Sequence, residues 1–118
     1  MTSRIRTYTG PAAISAAGLV FLLAGSAEAA KVHAVDIGTS YFAPGKKTVR
    51  PGDKVRFVWE EGGVVAHDVG VTKGPAKFRS PLQGGGSWTT KKLRKAGTYR
   101  LACSQHPEMT MTLRVKKR

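Results

Sequence analysis

The seven residues Cys103-Ser104-Gln105-His106-Pro107-Glu108-Met109 place a thiolate, an imidazole and a thioether within one short turn. All three donors are soft or borderline, which suits copper and excludes magnesium or calcium, whose shells are built from hard oxygens. A further donor is needed, and His67 is the candidate. It lies in Ala66-His67-Asp68-Val69, among apolar residues that mark a strand end, so a loop can present it to the later turn. Two imidazoles, one thiolate and a weak axial thioether form the donor set of a blue-copper electron-transfer site.

Taken singly, each of these residues has an ordinary explanation. A lone Cys is usually a small buried hydrophobe, a lone His a surface or hydrogen-bonded core residue, and Met a filler of core gaps. Their combination is harder to assign to chance, because the chain has one Cys, three Met and three His, and the turn holds one of each three residues apart. The same donors would also bind zinc, since the preference for copper is one of affinity. An added catalytic copper centre needs several more imidazoles than His33, His67 and His106 supply, which argues against an enzyme acting alone.

The segments that must position these donors alternate with period two. Val32-His33-Ala34-Val35-Asp36-Ile37 predicts a first strand, with His33 as a surface residue near its start. Tyr41 to Gly45 bends the chain, Lys47 to Arg50 runs extended, and Pro51-Gly52-Asp53 turns it. Lys54 to Trp59 alternates again and puts Val55, Phe57 and Trp59 on one core-facing side. A turn at Glu60 to Gly63 precedes Val64 to His67, and Asp68 to Val71 continues as strand until Lys73-Gly74-Pro75. Phe78 to Pro81 and Gln83 to Gly86 predict loops. Ser87 to Leu93 and Thr98 to Cys103 follow, and Thr110 to Val115 closes the chain with Met111, Leu113 and Val115 inward. Seven or eight short strands with frequent turns and no helical period predict an all-β, Greek-key β-sandwich.

The start of the chain has another character. Arg4 and Arg6 precede an apolar run from Ala12 to Ala24, and Ala27-Glu28-Ala29 offers small residues for cleavage. Residues 1–30 are thus expected to be a secretory signal peptide, too short and too interrupted for a membrane span. Arg4 and Arg6 are not adjacent, so export unfolded, with metal acquired outside, is expected. Residues 31–118 form one domain of about 88 residues. The whole chain has 20 Lys and Arg against 7 Asp and Glu, a net charge of +13. Loss of the leader leaves about +12, which favours acidic partners over cationic ones. No stacking pattern or motif points to nucleic acid. A single Cys in an oxidising compartment cannot form an intramolecular disulfide, and a metal in a dry pocket protects it.

Pro51-Gly52-Asp53-Lys54-Val55, Ala66-His67-Asp68-Val69, Ala96-Gly97-Thr98-Tyr99 and Cys103-x-x-His106-Pro107-x-Met109 resemble the small cupredoxins of the plastocyanin and amicyanin type. The resemblance spans nearly all of residues 31–118 and implies a periplasmic or otherwise exported carrier of single electrons with one mononuclear type 1 copper. It implies His67, Cys103 and His106 as equatorial ligands and Met109 as axial ligand. The short ligand turn is most similar to amicyanin; plastocyanin and pseudoazurin have two more residues before the axial Met, the spacing at which Met111 stands. A redox partner with an acidic docking surface and a monomeric carrier are expected. The same ligands would also serve a periplasmic copper carrier that delivers metal to another exported protein. Two residues depart from the family: Asp68 stands where Asn is usual, and Gln105 where Pro is often found. An ionised Asp68 would lower the potential, whereas a protonated one would mimic the amide.

Overall fold

The computed structural model describes residues 29–60 and 65–117, so residues 1–28 of the expected leader and the turn around residues 61–64 lie outside the described residues. Eight strands are found among the described residues: β1 (Val32–Ile37), β2 (Phe42–Ala43), β3 (Lys46–Val49), β4 (Lys54–Trp59), β5 (Gly70–Lys73), β6 (Ser87–Thr89), β7 (Gly97–Ala102) and β8 (Thr110–Val115). They form two four-stranded sheets, ordered β2-β1-β4-β6 and β3-β8-β7-β5, packed as an all-β sandwich. The pairs β1/β4 and β3/β8 are parallel and the others antiparallel. No helix among the described residues is long and apolar enough to cross a membrane.

Alternation explains the core. Val55, Phe57 and Trp59 of β4 are buried, as are Met111, Leu113 and Val115 of β8, while their neighbours face outward or lie half-buried. Each large apolar side chain removed from water contributes about 1.5–3 kcal/mol before entropy is counted. Tyr99 combines both requirements of a buried phenol: its ring is fully enclosed, and its hydroxyl donates to the Lys95 carbonyl at 2.7 Å.

Two expected strands come out with other limits, for local reasons. The strand expected over residues 68–71 begins only at Gly70, because Ser80 takes both backbone groups of Val69: Val69 N donates to Ser80 Oγ, and Ser80 N donates to the Val69 carbonyl. The strand expected from Ser87 stops at Thr89. Thr90 then replaces a rung with its side chain, Oγ1 accepting from Val55 N at 3.0 Å.

The end of the sandwich where β4 and β7 begin is clasped by Asp53. Arg50, Pro51, Gly52 and Asp53 form a turn closed by Asp53 N donating to the Arg50 carbonyl at 3.0 Å, with Gly52 at φ 95°, where a side chain would be strained. The Asp53 carboxylate accepts from Lys31 N at 2.9 Å and from Arg50 N at 3.1 Å. His33 Nε2 lies 2.8 Å away and donates to it, an ionised carboxylate being acceptor only. His33 is therefore a half-buried partner of Asp53 and not a plain surface residue. Burial alone would raise the Asp53 pKa, but His33 and the two backbone donors outweigh it and hold it at about 2 instead of 3.8. A depressed carboxyl stabilises the fold fully above its unfolded pKa and loses that contribution as pH falls toward 2. Asp53→Ala should cost about 2–4 kcal/mol. In urea titrations the midpoint should fall with an unchanged slope, and the variant's stability should depend less on pH between 4 and 2.

Candidate metal centre

Cys103 follows directly from the end of β7 and Met109 precedes the start of β8, so their turn is the mouth of a hairpin. Cys103 N donates to the Met109 carbonyl at 3.1 Å, Met109 N donates to the His106 carbonyl at 2.9 Å, and His106 N donates to the Cys103 carbonyl at 3.3 Å. The next rungs pair Ala102 with Thr110 and Leu101 with Met111. Side chains alternate along a strand, so Cys103 and Met109 face inward together while Thr110 is exposed. The register thus sets Met109 across from Cys103, and Met111 one inward position deeper beside Leu101. Both methionines are buried.

His67 arrives from the other side. Its backbone is bridged to Gln83 in both directions, and its carbonyl also accepts from the buried Trp59 Nε1 at 2.9 Å. Its ring is hydrogen-bonded with the Thr39 backbone, and its Nδ1 faces Cys103 Sγ. Burial first, and then the neighbouring His106, lower the His67 pKa, against the opposing pull of Thr39 and Asp68. A neutral imidazole is the form that binds metal. Trp59, Thr39 and Gln83 carry no spacing signal that would have marked them in the sequence.

The two arms meet around one sulfur. His67 Nδ1 and His106 Nδ1 each lie 3.7 Å from Cys103 Sγ, and the two rings are 4.8 Å apart between centroids. Among the described residues, these three form a group whose ligand atoms all lie within 4.8 Å of one another. Metal–sulfur and metal–nitrogen bonds of about 2.3 and 2.0 Å, opened to about 120°, separate their donor atoms by roughly 3.7 Å. The donor set therefore fits a single ion in size as well as in softness. Cys103 and His67 are almost wholly buried, while His106 is half-buried and turned toward the surface.

Residues 29–117 match the family model described as copper binding proteins of the plastocyanin/azurin family. The chain belongs to that family. Among solved structures, the copper-containing nitrite reductase of Thermus scotoductus SA-01 is similar at 28% identity and a TM-score of 0.66, over 73% of this chain and 22% of that one. A glycine-for-proline mutant of amicyanin, in its reduced Cu(I) form at pH 4, is similar at 26% identity and a TM-score of 0.62, over 76% of this chain and 85% of that one. A reduced phenylalanine-for-proline mutant of amicyanin gives 25% and 0.62, over 72% and 82%. This chain thus spans about a fifth of the nitrite reductase but most of amicyanin. No curated protein matches the sequence. Copper is the metal of the family, and His67, Cys103, His106 and Met109 of this cupredoxin are arranged as a type 1 copper site.

Asp68, beside His67, ties the two arms together. Its Oδ1 accepts from Ser104 N at 2.7 Å; its Oδ2 accepts from Ser104 Oγ at 2.8 Å and from Arg79 Nη1 at 3.1 Å. Burial works to raise the Asp68 pKa, but the Ser104 and Arg79 donors prevail and lower it. Those donors favour the charged form of the two that the sequence left open. Gln105 adds the expected extra donor, Nε2 reaching Ser104 Oγ at 3.2 Å. Removing this negative charge destabilises the more positive, oxidised metal. Asp68→Asn should therefore raise the reduction potential, by on the order of 50 mV, measured by voltammetry of the copper-loaded protein.

Proposed function

We propose that this chain is a small exported blue-copper protein that carries single electrons between redox partners, with His67, Cys103 and His106 as equatorial ligands and Met109 as weak axial ligand. The observation that carries this reading is the placement of two imidazole Nδ1 atoms 3.7 Å from one buried cysteine sulfur. Copper, when bound, supplies the one-electron couple, and a site intermediate between the geometries preferred by its two oxidation states limits rearrangement on transfer. The protein's part is to hold its donors still. Trp59, Gln83 and Thr39 fix His67, the hairpin mouth fixes Cys103 and Met109, and Asp68 locks one arm to the other. His106, the more exposed imidazole, offers the shortest route for an electron to the surface.

A carrier is favoured over an enzyme by the allocation of histidines. His33 is engaged with Asp53, which leaves His67 and His106 and no set of imidazoles for a second copper within the chain. Residues 1–30 would direct export, and N-terminal sequencing of the secreted protein should place its first residue near Lys31. Contact with the partner should be small and short-lived, as for redox encounters generally.

Copper(II) should give the intense blue charge-transfer band of a copper–thiolate bond, and Cys103→Ser should abolish it. Met109→Leu should keep the band and raise the potential; Met111→Leu should leave the potential near that of the unmodified protein. If only the second variant shifts it, the axial assignment moves to Met111.

A further inference from the structure

The sheet β3-β8-β7-β5 has no Asp or Glu in any of its four strands. Its solvent side carries Lys46, Thr48, Thr72, Lys73, Thr98 and Arg100, with Thr110, Thr112 and Arg114 from β8. The register aligns Lys46 with Thr112, Thr112 with Arg100, and Arg100 with Lys73, so three cations share one cross-strand row. Like charges set directly opposite, as in Arg100 and Lys73, weaken a sheet. Nothing within the sheet compensates that cost. The other sheet is mixed by comparison, with Asp36 outward on β1 and Glu60 just after β4.

The row leads to a groove of about 330 Å³ lined by Thr72, Arg79, Arg100, Ser104, Pro107 and Thr110, which reaches Cys103. Arg79 stands at the junction. Its guanidinium lies against Gly70, where a Cβ would collide with it, and one Nη1 donates to Asp68, while the side chain stays 44% exposed. A guanidinium has five N–H donors, so most remain for an incoming acceptor.

We propose that this face and its groove form the docking surface for a partner protein with an acidic patch, whose carboxylates are received by Arg100 and Arg79 beside the copper turn. The inference rests on the electron-carrier reading and goes beyond it by naming the surface and the partner's chemistry. A protein occupant is favoured over an anionic bilayer because the basic groups converge on a concave site. Projecting carboxylates can enter that groove, whereas a planar lipid surface cannot. A second basic run, Lys91, Lys92, Arg94 and Lys95, lies before β7 begins, at the opposite end of that strand from Cys103. Binding there would bring a partner no nearer to the metal.

The test is an NMR titration of the ¹⁵N-labelled, copper(I)-loaded protein with hexaglutamate, alongside vesicles of phosphatidylcholine with added phosphatidylglycerol. Amide shifts should centre on Thr72, Arg79, Arg100, Ser104 and Thr110. The double variant Lys73→Glu/Arg100→Glu should weaken peptide binding about tenfold, and Lys91→Glu/Lys92→Glu, with the same change in net charge, much less. The proposal is overturned by shifts centred on residues 91–95, by equal losses in the two variants, or by vesicles engaging this face while the peptide does not. Peptide binding is read independently of copper colour. A protein that binds hexaglutamate here but lacks the blue band would refute the carrier reading and leave the surface intact, and the converse result would do the reverse.

Discussion

Cys103 belongs to a hairpin, His67 to a bridge 36 residues away, and the sandwich has to bring them within one bond-pair of a common point. That constraint explains why so many backbone groups around the site are committed. The His67 carbonyl has two donors, the Cys103 amide and carbonyl are both used inside the turn, and Ser104 is gripped twice by Asp68. Fixing each residue costs about 1–2 kcal/mol of backbone entropy. Here that cost is met when the protein folds, so the donor atoms are held in place by the frame. The rigidity of the site is therefore a property of the sandwich itself.

What was visible in the sequence follows from how each contact is encoded. β1, β4 and β8 are long enough for alternation to show, and their limits agree with the expected ones. The ligand turn was legible because Cys, His and Met are rare and its closure is local. The ends of β5 and β6 were not, since side chains replace strand rungs there: the Ser80 hydroxyl at Val69 and the Thr90 hydroxyl at Val55. Such substitutions depend on tertiary proximity that neither period nor propensity records. The same holds for Arg79, which lies in a segment expected as a loop and acquires its role only when Asp68 and Gly70 come to lie beside it. The placement of Met109 across from Cys103, with Met111 one inward position deeper, comes from the β7–β8 register, because a slip of two residues keeps both facing inward.

Stability and redox chemistry sit at opposite ends of the sandwich. Asp53 gathers the residue before β1, His33 within β1 and the turn before β4, whereas Asp68 gathers the two loops that carry ligands. Both are buried carboxylates held ionised by donors that overcome the effect of burial. Their positions let one secure the frame while the other sets the charge beside the metal, and changes in either should combine almost additively at such separation.

The edges of the basic sheet bear on how the protein behaves at high concentration. β3 and β5 are its outer strands, each four residues long; β3 opens with Lys46 and Lys47, and β5 ends in a register shift at Lys73. Short length, lysine and irregular pairing are the means by which an open strand edge resists recruiting another chain. Lys46 and Lys73 thus also guard the sandwich against growing into a larger sheet, and exchanging them for apolar residues would expose it to aggregation.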